Sequence, residues 1–184
     1  MGVWKYVDDY RLEEYVDEKG KIRNKVTYIG GDFVLTPAIS AENRRMILLL
    51  TILLWLPFVA AIIPPSRAAY LFYVMLPFVF SIIPMYMMTT AAISLFRTGE
   101  ILTREKSDKI SRNLPHCSLI IAILTVAAFL GITITAIIDA SDMFFGDIVF
   151  GALSLIMAAA SSFIYSKCRL IKAKRAHPQK RQDT

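Results

Sequence analysis

The sequence predicts an all-α membrane protein: a four-transmembrane-helix bundle, N-in/C-in, carrying a small cytosolic N-terminal β-hairpin. Two observations predict it. The chain has 21 basic and 15 acidic residues, 36 in all, and none falls within residues 46–63, 68–96, 117–138 or 148–166. Each of these stretches is near or above the roughly 20 residues a helix needs to cross about 30 Å of hydrocarbon. The Lys and Arg residues also alternate between the connecting segments: eight before the first stretch, one (Arg67) in the first loop, five in the second, none in the third and seven in the tail. Basic segments stay in the cytosol, so the alternation sets both termini there, in a multi-pass protein of the cell membrane. The third loop carries Asp139, Asp142 and Asp147 instead.

Composition agrees, with 55% hydrophobic residues among 184 and a mean hydropathy of +0.50. The first apolar stretch follows a long charged and aromatic segment, which reads as a retained span rather than a signal peptide. Met1-Gly2 is a poor myristoylation start, because Tyr6 stands where that motif wants Ser or Thr.

Residues 1–43 form the cytosolic arm. Tyr10–Val16 and residues 21–29 are two runs rich in Tyr, Val, Ile and Leu, separated by Asp17-Glu18-Lys19-Gly20, a turn with Gly placed for positive φ. Ile22, Val26 and Tyr28 alternate with Lys21, Arg23, Lys25 and Thr27, as in a half-buried strand, although Asn24 falls on the apolar side. Gly30-Gly31-Asp32 supplies a second turn before a short third strand at Phe33-Val34-Leu35. A hairpin alone is marginal in water, so its apolar face, with Trp4 and Tyr6 nearby, should rest on the membrane, the bundle or another protein. Pro37 ends the extended region and Ser40 offers a helix cap.

The transmembrane domain covers residues 44–166. Pro57 in span one, and Pro77 and Pro84 in span two, each remove an intrahelical hydrogen bond and are candidate helix bends. Pro64-Pro65-Ser66-Arg67 is too short to let the first two spans separate, and Tyr70, Phe72 and Tyr73 sit where an outer aromatic belt belongs. The second loop, residues 97–116, reads as a solvated or briefly helical connector, with Asn113-Leu114-Pro115 as the entrance to span three. Ala127, Gly131 and Thr135 in span three, and Gly151, Ser154, Ala158 and Ser162 in span four, are small residues suited to helix packing, either against each other or between protomers. Other polar groups in the spans are mostly hydroxyls, expected to satisfy backbone carbonyls.

Residues 167–184 form the basic cytosolic tail. Lys167, Arg169, Lys172, Lys174 and Arg175 are candidate contacts for anionic lipid head groups. The net charge of +6 is accounted for by topology and lipid, and no nucleic-acid partner is expected.

Coupled transporters usually place an Asp, Glu, His or Arg within the membrane, and these spans contain none. Cys117 and Cys168 fall at cytosolic span ends, where thiols stay reduced. With His116 they suggest a thiol enzyme only weakly, and two Cys with two His lack the spacing of a zinc site. No catalytic residue, metal or cofactor is expected. The chain is therefore read as a noncatalytic subunit or regulator of a membrane complex, contacting a membrane-protein partner or itself through arm and tail. The alternative is a homo-oligomeric channel or facilitator for a small solute, lined by the Pro-bent second span.

Overall fold

The computed structural model describes residues 7, 9–16, 21–30, 33–36, 40–97, 102–138 and 144–175. Among them four helices are long and apolar enough to cross a membrane: Ala41–Ile62, Phe72–Arg97, Arg104–Ile138 and Phe145–Cys168. All four begin or end at residues other than the limits of the apolar runs, each for a local reason.

Span one starts at Ala41 because the Ser40 hydroxyl accepts the Asn43 N–H at 3.2 Å, which satisfies one of the helix's orphan donors. The helix therefore takes in Glu42, Arg44 and Arg45 before it becomes apolar. It consists of α1 (Ala41–Leu53) and α2 (Trp55–Ile62), interrupted at Leu54. Span two consists of α3 (Phe72–Phe80), with Pro77 inside it, and α4 (Ile82–Arg97), interrupted at Ser81. Each interruption falls three residues before a proline, Pro57 or Pro84. The ring has no N–H to donate and crowds the carbonyl four residues back, so the distortion appears upstream of the proline itself. At Ser81 the backbone N–H is shared by the Pro77 and Phe78 carbonyls at 3.2 Å each. The Ser81 hydroxyl also donates to the Phe78 carbonyl, at 2.6 Å.

The third helix extends well beyond residues 117–138. It comprises α5 (Arg104–Asp108), a π-helical turn at Lys109–Asn113 and α6 (Leu114–Ile138). The connector, expected to be solvated or briefly helical, is thus continuous with span three from Arg104. Two causes are visible. Leu102, Ile110 and Leu114 are fully buried, so the segment has an apolar face to hold down. Pro115 also leaves the Ser111 carbonyl without its usual donor, and a π turn is one way for a helix to absorb such a gap.

The fourth helix, α7 (Phe145–Cys168), packs most extensively on α6 and also on α2, while α3 packs on α6 and α1 on α4. Phe58 stacks on Phe78 at 4.7 Å with 7° between the rings, and Phe78 meets Phe150 at 4.7 Å. These three rings join spans one, two and four in the core. Trp55 adds a polar tie, its Nε1–H donating to Thr89 Oγ1 at 3.1 Å. The bundle exterior is apolar, with Leu49, Ile52, Leu56, Ile123 and Ile156 all exposed. Such a surface suits hydrocarbon, where helices associate by close packing rather than by leaving water.

Among the described residues two small sheets complete the fold. β1 (Tyr10–Val16) and β2 (Ile22–Tyr28) form the antiparallel hairpin, with Tyr10 opposite Tyr28 and Leu12 opposite Val26. The third strand, β3 (Phe33–Thr36), pairs instead with β4 (Lys172–Arg175) from the tail, Phe33 opposite Arg175 and Thr36 opposite Lys172. The turn at residues 17–20, Gly31, Asp32, Pro37, Asp139, Asp142 and the tail after Arg175 lie outside the described residues.

Candidate functional site

β3 has a second neighbour. The Phe33 N–H donates to the Leu102 carbonyl at 3.0 Å and the Leu102 N–H returns a bond to Phe33 at 2.9 Å. Arm, connector and tail therefore meet at one end of the bundle, which we call the termini end. The backbones of Lys172, Lys174 and Arg175 belong to this junction. Lys167 and Arg169 are exposed just before it, and the Lys167 ammonium lies 5.5 Å from the centre of the Phe163 ring.

The hairpin is tethered to the same end through Arg104, the first residue of α5. The Arg104 N–H donates to the Tyr28 hydroxyl at 2.9 Å, and the Arg104 guanidinium lies 3.6 Å from the Asp9 carboxylate. Tyr10 meets Tyr28 edge-on at 5.3 Å. Desolvation first, and the nearby Glu105 carboxylate second, push the Tyr10 hydroxyl above its ordinary pKa. These contacts hold one end of the hairpin and leave its apolar face uncovered: Leu12 is 68%, Ile22 70% and Val26 62% exposed. The opposite face carries Arg11, Glu13 and Lys25, with Thr27 donating to Glu13 at 3.0 Å. The sheet is thus partly amphipathic, since the opposed Glu14 and Asn24 share the face of Leu12 and Val26.

Within the spans, the small residues serve different neighbours. Gly131 lies against α3, where an added β-carbon would come 2.8 Å from Val74 Cγ2, and Thr135 Oγ1 is hydrogen-bonded to the Tyr73 hydroxyl at 2.8 Å. Gly151 lies against α6, near Phe129 and Ile132. Ser154 and Ala158 are buried, whereas Ala127 and Ser162 are exposed. On α7 the buried stripe continues through Ser161 instead. Strict four-residue spacing drifts about 40° per step on a helix of 3.6 residues per turn, so Ser162 has rotated outward while Ser161 has not.

Most span hydroxyls bond backward to carbonyls, including Thr51 to Ile47, Thr125 to Ile121 and Thr133 to Phe129. Ser154 and Ser161 are exceptions, buried with no hydrogen-bond partner. Cys117 and Cys168 are free and buried, and His116 Nδ1 is engaged by the Arg112 carbonyl at 2.7 Å. Among the described residues no three His, Cys, Asp or Glu side chains gather as a metal site would require.

At the end of the bundle remote from the termini, a polar cluster that sequence reading treated only as loop charge ties two connections together. Asp147, 4% exposed, accepts from the Ser66 hydroxyl at 2.6 Å and the Ala68 N–H at 3.0 Å through Oδ1, and from the Phe144 N–H at 3.0 Å through Oδ2. The Arg67 guanidinium lies 4.7 Å from the Phe144 ring centre. This carboxylate satisfies donors from two loops at once. Comparison with family models, with curated proteins and with solved structures finds no match.

Proposed function

We propose that this chain is a noncatalytic subunit or regulator of a membrane complex, with the hairpin as the surface that contacts a second membrane protein. The observation that carries this reading is the exposed Leu12, Ile22 and Val26 face on a hairpin already anchored through Arg104. A two-stranded ribbon is marginal by itself, and exposed apolar side chains on it, here flanking the opposed Glu14 and Asn24, support an interaction surface of mixed polarity. The distribution of Lys and Arg supports a cytosolic termini end, in a multi-pass protein of the cell membrane.

The test is site-specific photo-crosslinking in intact membranes from Leu12 and, as a control, from Lys25 on the opposite face. Detergent extraction should then recover one stoichiometric membrane-protein adduct from Leu12 and none from Lys25. A chain extracted without a stoichiometric partner, and active alone in liposomes, overturns the reading. Sidedness has its own test: a cysteine introduced at Arg169 should react with a membrane-impermeant maleimide only after the inner face is opened.

A further inference from the structure

We infer that the outer edge of β1 is a self-association seam, where β1 of one chain pairs antiparallel with β1 of a second copy and the two hairpins join into one continuous sheet. The inference goes beyond the partner reading and does not depend on it, because the edge of the strand and the apolar face of the hairpin are different surfaces.

The hairpin's register decides which backbone groups are available. The Ile29 N–H donates to the Asp9 carbonyl at 2.9 Å, one position before Tyr10 stands opposite Tyr28. Antiparallel ladders alternate between bonded and unbonded partners, so Arg11 and Glu13 turn their backbone groups toward β2, whereas Tyr10, Leu12 and Glu14 turn theirs away from it. Among the described residues no strand lies along that second edge, and Arg11, Leu12, Glu13 and Glu14 are all exposed. An edge of this kind is a template for another strand.

Charge names the occupant. A half-turn of β1 about Leu12 sets Leu12 against its own copy, Tyr10 against Glu14, and Arg11 against Glu13 on both sides of the axis. The outward backbone groups then meet each other, and the opposite charges fall at the unbonded pairs, where opposed side chains are closest. Centring the pair on Arg11 or on Glu13 instead would oppose that charge with itself. The edge of β2 is unsuited to the same use: pairing about Asn24 would set Arg23 against Lys25, and lysine on an edge strand discourages strand addition. A ribbon of two strands is marginal in water and a wider sheet is not, so the second copy supplies what the hairpin lacks. The contact uses the same patch on both chains and closes on itself. The seam is short, yet two chains held in one membrane meet at high effective concentration.

Disulfide formation by the full-length chain in intact membranes, with Cys117→Ala and Cys168→Ala as background, tests the inference. Under mild oxidation Leu12→Cys should join to its own copy, since bonded pairs have α-carbons about 5.5 Å apart. Arg11→Cys in one chain should join Glu13→Cys in a second chain carrying a different tag, which leaves the other Arg11–Glu13 pair intact. Each of these alone, and Lys25→Cys, should join far more slowly. Added to Leu12→Cys, Arg11→Glu should slow joining roughly tenfold, because both opposed pairs turn from attractive to repulsive, and adding Glu13→Arg as well should restore it. Glu14→Pro is a second, independent variant: the Glu14 N–H faces the free edge, so proline there spares the β1–β2 ladder and should still abolish joining. Lys25→Cys joining as fast as Leu12→Cys, a rate unmoved by both Arg11→Glu and Glu14→Pro, Glu13→Cys joining Lys174→Cys of another chain in preference to Arg11→Cys, or Leu12→Cys joining only a different protein would each overturn the inference. The last of these would leave the partner reading standing.

Discussion

The Ser66 hydroxyl donates to the Asp147 carboxylate at 2.6 Å, joining the loop between spans one and two to the start of span four, 81 residues later. Asp147 also carries the Ala68, Phe144 and Arg67 N–H groups, so its removal orphans four donors at once. Asp147→Ala should lower stability by about 2–4 kcal/mol, since hydrogen bonds to a buried charge are worth about 1.5–3 kcal/mol each and partly re-form to water. Ser66→Ala should cost about 1 kcal/mol. Unfolding in mixed micelles, read as a double-mutant cycle, should show the two losses to be non-additive. Additive losses would mean that the residues act separately.

The glycines give a ranked expectation. A β-carbon at Gly146 would overlap the Pro65 carbonyl oxygen, which is backbone and cannot rotate away. At Gly131 it would press on Val74 Cγ2 at 2.8 Å, whereas at Gly151 it would reach Phe129 and Ile132 at an ordinary 3.7–3.8 Å. Gly146→Ala should be the most damaging, at about 2–3 kcal/mol or by loss of folding, Gly131→Ala intermediate, and Gly151→Ala neutral or mildly stabilising. Thermal stability in one detergent gives the order directly.

The spans were readable because charge exclusion and length are local properties of the chain. The small-residue stripes were readable only in part: the four-residue spacing in span four leads outward to Ser162, and the helix's true period leads to Ser161. Asp147 was counted as a loop charge, because its work depends on Ser66, far away in sequence. β3 was visible as Phe33-Val34-Leu35, yet its partner was not. Lys172-Ala173-Lys174-Arg175 has the composition of a solvated basic tail and little strand propensity, and becomes a strand where the helices bring it beside β3.

Ser154 and Ser161 predict the opposite of the usual polar-to-Ala effect. Both hydroxyls are buried without a partner, while neighbouring span hydroxyls bond to carbonyls. An unsatisfied buried hydroxyl is itself a cost, so Ser154→Ala and Ser161→Ala should each leave stability unchanged or raise it by up to about 1 kcal/mol. Unfolding in mixed micelles is the measurement. A loss above about 1 kcal/mol at either site would show that the hydroxyl holds a bond in the membrane.

The β3–β4 sheet makes a sharper prediction, because its register is specific. Leu35 and Ala173 are directly opposed, and opposed residues of an antiparallel pair have α-carbons about 4.5–5.5 Å apart, within disulfide reach. With Cys117 and Cys168 replaced by Ala, Leu35→Cys and Ala173→Cys should join rapidly under mild oxidation, seen as a mobility shift in denaturing gels that reductant reverses. Leu35→Cys with Lys172→Cys should join more slowly, since a one-residue slip turns the side chains to opposite faces. The sheet also ties the arm to the tail, so truncation after Ile171 should speed amide exchange at Val34 and Thr36, whose N–H groups lie on the edge opposite the Phe33–Leu102 bonds, by at least about tenfold while the spans remain protected. Equal crosslinking by both pairs would mean that the strands slide, and unchanged exchange after truncation would mean that β3 is held by Leu102 alone.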